Sequence, residues 1–265
     1  MGGGRLRSGR KIEEVKELAA YEMEKITKGA SGWMDFLDTA CRVYKYSFAD
    51  QLLIHAQRPE ATACAEIRIW NNPMNRRIRR GTKGIALLEK SGNYEKLRYV
   101  FDISDTYGIR GMGRTPYLWS LEEEQREPLG RHLMSRYLPE SHVEGLGKIL
   151  TGIALKYAQE HIEACYKEIS NAVPESGTGK EDAKQRLGEL ITASSAYIFL
   201  KRSGLEPLHF LDENAFVHIR EYRNPEALSY LGSTINGICR DVLIGIGKAL
   251  PEIRKENLSK GVEKT

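Results

Sequence analysis

Apolar residues at Ile12, Val15, Ala19, Met23 and Ile26 recur every three or four positions. That is the period of a helix with one buried stripe, so the spacing predicts an amphipathic helix over 11–28. Gly29 supplies its stop, since glycine tolerates the left-handed backbone that ends many helices. Trp33, Phe36, Leu37, Ala40 and Tyr44 form a second apolar stripe. Ser47, with Asp50 three residues later, has the spacing of a capping box and opens a third helix through Gln57. Pro59 ends it, because the residue before a proline is pushed out of helical backbone.

The pattern then changes period. Ala63 to Trp70 reads as a strand, and Asn71-Asn72-Pro73-Met74-Asn75 is turn chemistry. Arg76 to Arg80 is a short basic strand with Ile78 its only apolar residue. Gly84 to Glu89 is an apolar strand, Ser91-Gly92-Asn93 turns, and Leu97 to Ile103 returns with Leu97, Tyr99, Phe101 and Ile103 on one face. These strands predict a small antiparallel sheet from about 62 to 104. A glycine-rich loop, Gly108 to Gly113, closes this half.

Beyond it the helical period returns. Ser120 with Glu123, and Ser141 with Glu144, have capping-box spacing, which predicts helices at about 121–137 and 142–170. A polar gap, Pro174 to Lys180, leads to a helix ending near Gly204. Asn224-Pro225 is an N-cap followed by proline at the first helical position. From there Leu228, Leu231, Ile235, Ile238, Val242 and Ile246 run down one long helix. The expected fold is α+β: N-terminal helices packed on a small antiparallel β-sheet, followed by a mostly α-helical C-terminal domain. The expected division is a flexible basic N-terminus over 1–10, a first domain over 11–115, a helical domain over 116–254 and a charged, frayed tail over 255–265.

Composition narrows the class. The chain has 265 residues, 41% hydrophobic and 29% charged, an ordinary globular mix able to bury a core. No apolar run approaches the roughly 18 residues a membrane span needs, and no apolar segment follows the basic start as in a signal peptide. Cys41, Cys64, Cys165 and Cys239 are dispersed, with no C-x-x-C pair, which fits reduced thiols in a cytoplasmic protein. No cofactor or bound metal is expected.

The net charge of +4 hides an asymmetry. Residues 1–118 carry 21 Lys and Arg against 14 Asp and Glu, while the remaining 147 carry 19 against 22. Over 67–83 the bias sharpens: Arg68, Arg76, Arg77, Arg79, Arg80 and Lys83 have no acid among them. A solvated face explains many charge runs. Four arginines in five positions fit that account less well, because a strand alternates and exposes charge on both faces. A polyanion-binding N-terminal half is the functional reading.

Other chemistries fail on spacing. Ser176-Gly177-Thr178-Gly179-Lys180 resembles a phosphate loop, yet Pro174 stands where that motif needs glycine and Glu181 where it needs Ser or Thr. His161-Ile162-Glu163-Ala164-Cys165 is not H-E-x-x-H. Asp102 and Asp105 pair carboxylates at a strand end without a partner histidine or third acid, which suits a turn better than a nuclease site.

The informative stretch is Tyr46 to Leu88. It carries Asp50-Gln51-Leu52-Leu53-Ile54, Gln57, Pro59, Ala61-Thr62, Trp70 and Gly81-Thr82-Lys83-Gly84-Ile85, and Val100-Phe101-Asp102-Ile103-Ser104-Asp105-Thr106 follows. In this it resembles the N-terminal domain of ArdC-type antirestriction proteins. The likeness is closest to the version that opens large mobile-element proteins with helicase and adenine-methyltransferase modules. It spans roughly 11–107, with a looser likeness over 185–250. The chain lacks the H-E-x-x-H of the antirestriction proteins' metallopeptidase domain and any helicase or methyltransferase motif, and Asp50 stands where many relatives carry Asn.

The resemblance implies a single-stranded DNA-binding module and no enzyme. Partners would be single-stranded DNA and, within the same conjugative or other mobile element, helicase or DNA-methyltransferase modules; no membrane is implied. Such a module needs cations to neutralise phosphates and planar groups on which bases stack. Arg58, Arg68, Arg76, Arg77, Arg79, Arg80 and Lys83 are the candidate cations, and Tyr46, His55 and Trp70 the candidate platforms. Gln51 and Gln57 could hydrogen-bond sugar, phosphate or base edges. The competing readings are a protein-interaction scaffold whose basic face docks an acidic partner, and an enzyme with an unrecognised site.

Overall fold

The computed structural model describes residues 3–92, 94–172 and 179–262. The chain forms two compact units, Met1–Leu118 and Trp119–Thr265. The fold class is the expected α+β.

In the first unit, α1 (Gly3–Ile26) begins well before residue 11, so residues 3–10 of the stretch expected as a flexible N-terminus form its opening turns. Nothing between Leu6 and Lys11 breaks a helix apart from Gly9, and Arg10 meets Glu14 one turn on at 3.2 Å. α2 (Ala30–Ala40) buries Trp33, Phe36, Leu37 and Ala40, the predicted stripe. α3 (Phe48–Gln57) opens as read, with Ser47 Oγ accepting the Asp50 N–H at 3.2 Å, and ends before Pro59.

The strand expected over Ala63–Trp70 is largely absent. Only β1 (Cys64–Ala65) is extended, and α4 (Ile67–Asn71) follows as a single helical turn. The turn carries Trp70 inward, where it is 1% exposed and its Nε1–H donates to the Phe101 carbonyl at 2.9 Å, and leaves Ile67 and Ile69 exposed. Alternating apolar residues suggest a strand, but burying one indole with its hydrogen bond satisfied outweighs two isoleucines.

β2 (Arg76–Ile78), β3 (Ile85–Ser91), β4 (Tyr94–Asp102) and β5 (Thr106–Gly108) complete the unit. β3 and β4 form an antiparallel hairpin registered from Ile85↔Val100 to Ser91↔Tyr94; Asn93 of its predicted turn lies outside the described residues. β1 pairs on the other side of β4, giving the order β1-β4-β3. Beneath lies a core of Val15, Val43, Leu53, Ile54, Leu87 and Val100. The basic strand does not join this sheet. It pairs with β5 in a separate two-stranded ribbon, Arg76↔Gly108, Arg77↔Tyr107 and Ile78↔Thr106. A single 3-10 turn, Ile103–Asp105, separates β4 from β5 and turns the chain out of one sheet into the other.

The second unit is helical: α5 (Glu123–Tyr137), α6 (Leu146–Ala172), α7 (Lys180–Arg202) and α8 (Pro225–Val262). Neither predicted capping box forms. α5 starts behind Glu122, whose N–H donates to Gln125 Oε1 at 3.1 Å. α6 starts behind Gly145, whose φ of +88° only glycine adopts readily, and so begins beyond Glu144. Asn224 does cap α8: its Oδ1 accepts from the Glu226 and Ala227 N–H groups at 2.9 and 3.1 Å. α8 continues to Val262, so residues 255–262 of the tail expected to fray form its last turns. Residues 176–178 of the phosphate-loop-like run lie outside the described residues, and Lys180 opens α7.

Candidate nucleic-acid interface

The uncharged candidates from the sequence turn inward. Trp70 is part of the core and offers no platform. Gln51 is 3% exposed and its amide donates to the Val43 carbonyl at 3.3 Å. His55 is also buried. Its Nδ1 lies 2.8 Å from Thr39 Oγ1, its Nε2 lies 3.4 Å from Glu22 Oε1, and burial holds its pKa below the ordinary value. Gln57 closes the free edge of β3: its Oε1 accepts the Ala86 N–H and its Nε2 donates to the Ala86 carbonyl, both at 2.9 Å. Tyr46 is half-buried, its hydroxyl donates to the Cys64 carbonyl at 2.7 Å, and burial pushes its pKa up. All five hold the fold together: Trp70, Gln51 and His55 are buried, and Tyr46 and Gln57 are half-buried with their polar groups hydrogen-bonded to backbone.

The cations divide. Arg58 pairs with Asp105 at 2.7 Å, and that hydrogen bond raises its pKa further. Arg68 is exposed but meets Glu66 at 3.2 Å. Arg76 acts as a clamp inside the ribbon, its Nε donating to Thr106 Oγ1 at 2.6 Å. Arg77, Arg79, Arg80 and Lys83 are exposed, and among the described residues no carboxylate lies within ion-pair range of any of them. Gly81, at φ +85°, lets the chain turn between Arg80 and Lys83.

Asp102 and Asp105 serve the turn that aims the ribbon. Asp102 accepts N–H bonds from Thr62 at 2.7 Å, Ala63 at 2.9 Å and Ser104 at 3.0 Å. Burial pushes the Asp102 carboxyl up, but these donors outweigh it and hold the pKa below the ordinary value. Both carboxylates are engaged by protein donors, and among the described residues no group of three or more His, Cys, Asp or Glu could hold a metal ion.

No family model, curated protein or solved structure matches the chain. What the ribbon can bind therefore follows from its own chemistry. Sequence reasoning missed Tyr107 within the ribbon and Arg110 and Arg114 in the segment after it, all exposed. Tyr107 stands directly across from Arg77, and the Arg79 guanidinium lies 6.0 Å from its ring centroid. Arg110 and Arg114 sit in the glycine-rich segment that folds back along β2, where the Arg114 N–H donates to the Met74 carbonyl at 2.8 Å. That fold-back brings Gly113 so close to Gly108 that a Cβ on Gly113 would lie 2.4 Å from the Gly108 Cα. Only alternation continued past Ile103 could have signalled Tyr107, and the 3-10 turn interrupts it. Among the described residues no helix is long and apolar enough to cross a membrane.

Proposed function

We propose that residues 1–118 form a sequence-tolerant single-stranded DNA-binding domain whose β2–β5 ribbon carries the phosphate contacts. One observation carries the reading: Arg77 of β2 and Arg79, Arg80 and Lys83 in the segment that follows it are exposed with no ion-paired carboxylate among the described residues, whereas Arg10, Arg58, Arg68 and Arg98 of the same unit each have one. Unneutralised like charges repel one another, and a polyanion relieves that cost while releasing its condensed counterions. The domain acts by binding and not by catalysis. The likeness of Asp50-Gln51-Leu52-Leu53-Ile54 and Gly81-Thr82-Lys83-Gly84-Ile85 to the ArdC-type domain supports a cytoplasmic role in a conjugative or other mobile element. Helicase or DNA-methyltransferase modules of that element are the proposed protein partners.

The test is a salt titration with a thymidine oligonucleotide, a duplex of equal length and an acidic polypeptide. Four phosphate contacts at about 0.7 each give an expected log–log slope of about −3 on the single strand. A slope near zero overturns the electrostatic reading. Equal affinity for the acidic polypeptide would favour the scaffold reading instead.

A further inference from the structure

We infer that Tyr107 is the base-stacking residue of the ribbon, the role that the sequence suggests for Trp70. The inference rests on the single-stranded DNA reading above. Tyr107 is 47% exposed in the middle of β5, opposite Arg77 and beside the Arg79 guanidinium. An exposed tyrosine is ordinary; its setting here is not. Tyr94 and Tyr117 are exposed as well, but among the described residues no cation is placed over either ring.

The backbone under the ring is fixed from both sides. Thr106 is buried, its hydroxyl donates to the Ile103 carbonyl at 2.7 Å, and it accepts from Arg76 Nε at 2.6 Å. Gly108 is packed against Gly113 backbone to backbone. Among the described residues the Tyr107 hydroxyl makes no hydrogen bond and the ring stacks on no other ring. A ring on a fixed backbone, 47% exposed and flanked by cations without carboxylate partners among the described residues, is what a base needs when its own phosphates are held alongside. The preference would be sequence-tolerant, because every base presents a π-face.

The experiment compares the full chain's affinity for a thymidine oligonucleotide with its affinity for an abasic oligonucleotide of the same length and phosphate count. One stacked base should favour the thymidine strand by roughly five- to 150-fold. Tyr107→Ala should bring that ratio close to one and leave the salt slope unchanged. Tyr107→Phe, which keeps the ring, should retain the ratio. A Tyr107→Ala protein with the wild-type ratio overturns the inference, as does a wild-type protein that binds both strands alike. In that last case a normal salt slope leaves the DNA reading intact, whereas no binding to either strand at low salt overturns both.

Discussion

At Trp70 the side chain's hydrogen bond decides its role. The indole N–H reaches the Phe101 carbonyl and the ring is sealed in the core. Trp70→Phe keeps most of the apolar volume and loses the indole's hydrogen bond, while the carbonyl keeps its place in the β1–β4 pairing. It should cost about 0.5–1.5 kcal/mol of stability by chemical denaturation, with DNA affinity at fixed salt unchanged in the folded fraction. A loss of affinity without loss of stability would return Trp70 to the interface. The sequence shows a tryptophan ahead of a basic run, and either role fits that order. Which way the ring faces depends on a helical turn that starts after Glu66, and five residues carry too little periodicity to reveal it. Gln51, His55 and Gln57 mislead for a related reason. Polar side chains on a helix next to a basic segment suggest ligand contacts, yet each has a protein partner outside its own helix: Val43, Thr39 and Ala86. The exposed arginines were legible, because a charge that no neighbour in sequence neutralises is also hard to bury.

Elements were legible in proportion to their length. The long helices of the second unit announce themselves through many turns of one apolar stripe and, for α8, a cap at Asn224. β2 and β5 have three residues each, and their pairing joins positions about thirty residues apart. No local pattern encodes such a pairing, and so the basic strand reads as one member of a continuous sheet. Its separation depends on the Asp102–Asp105 turn. The larger sheet has its own device at its β3 edge, where the Gln57 amide stands in for a missing strand by engaging both polar groups of Ala86. Gln57→Ala should leave that N–H and carbonyl without protein partners, at about 1–3 kcal/mol. Native-state hydrogen exchange should show the Ala86 amide losing protection ahead of the β3–β4 ladder. Unchanged protection at Ala86 would mean that the edge is closed by something else.

Over the whole molecule, charge and architecture share one boundary. The residues that carry the cationic excess, 1–118, are the first compact unit, and the acidic remainder is the second. Each has its own buried core, so each is expected to fold alone. A fragment of residues 1–118 should bind the oligonucleotide with the full chain's salt slope, and a fragment of 119–265 should not bind it. Equal binding by the second fragment would remove the ribbon from the explanation. The contact between Gly108 and Gly113 carries a consequence for how the molecule tolerates change. In a saturation library selected for folded protein, positions on a basic surface ribbon would normally accept most residues. These two should accept almost none, because each abuts the other's main chain, which no second substitution can shrink. A surface that tolerates any side chain at Arg77 and none at Gly113 would put the constraint on the ribbon in its backbone, with its charges free to drift between lineages as long as their sum stays positive.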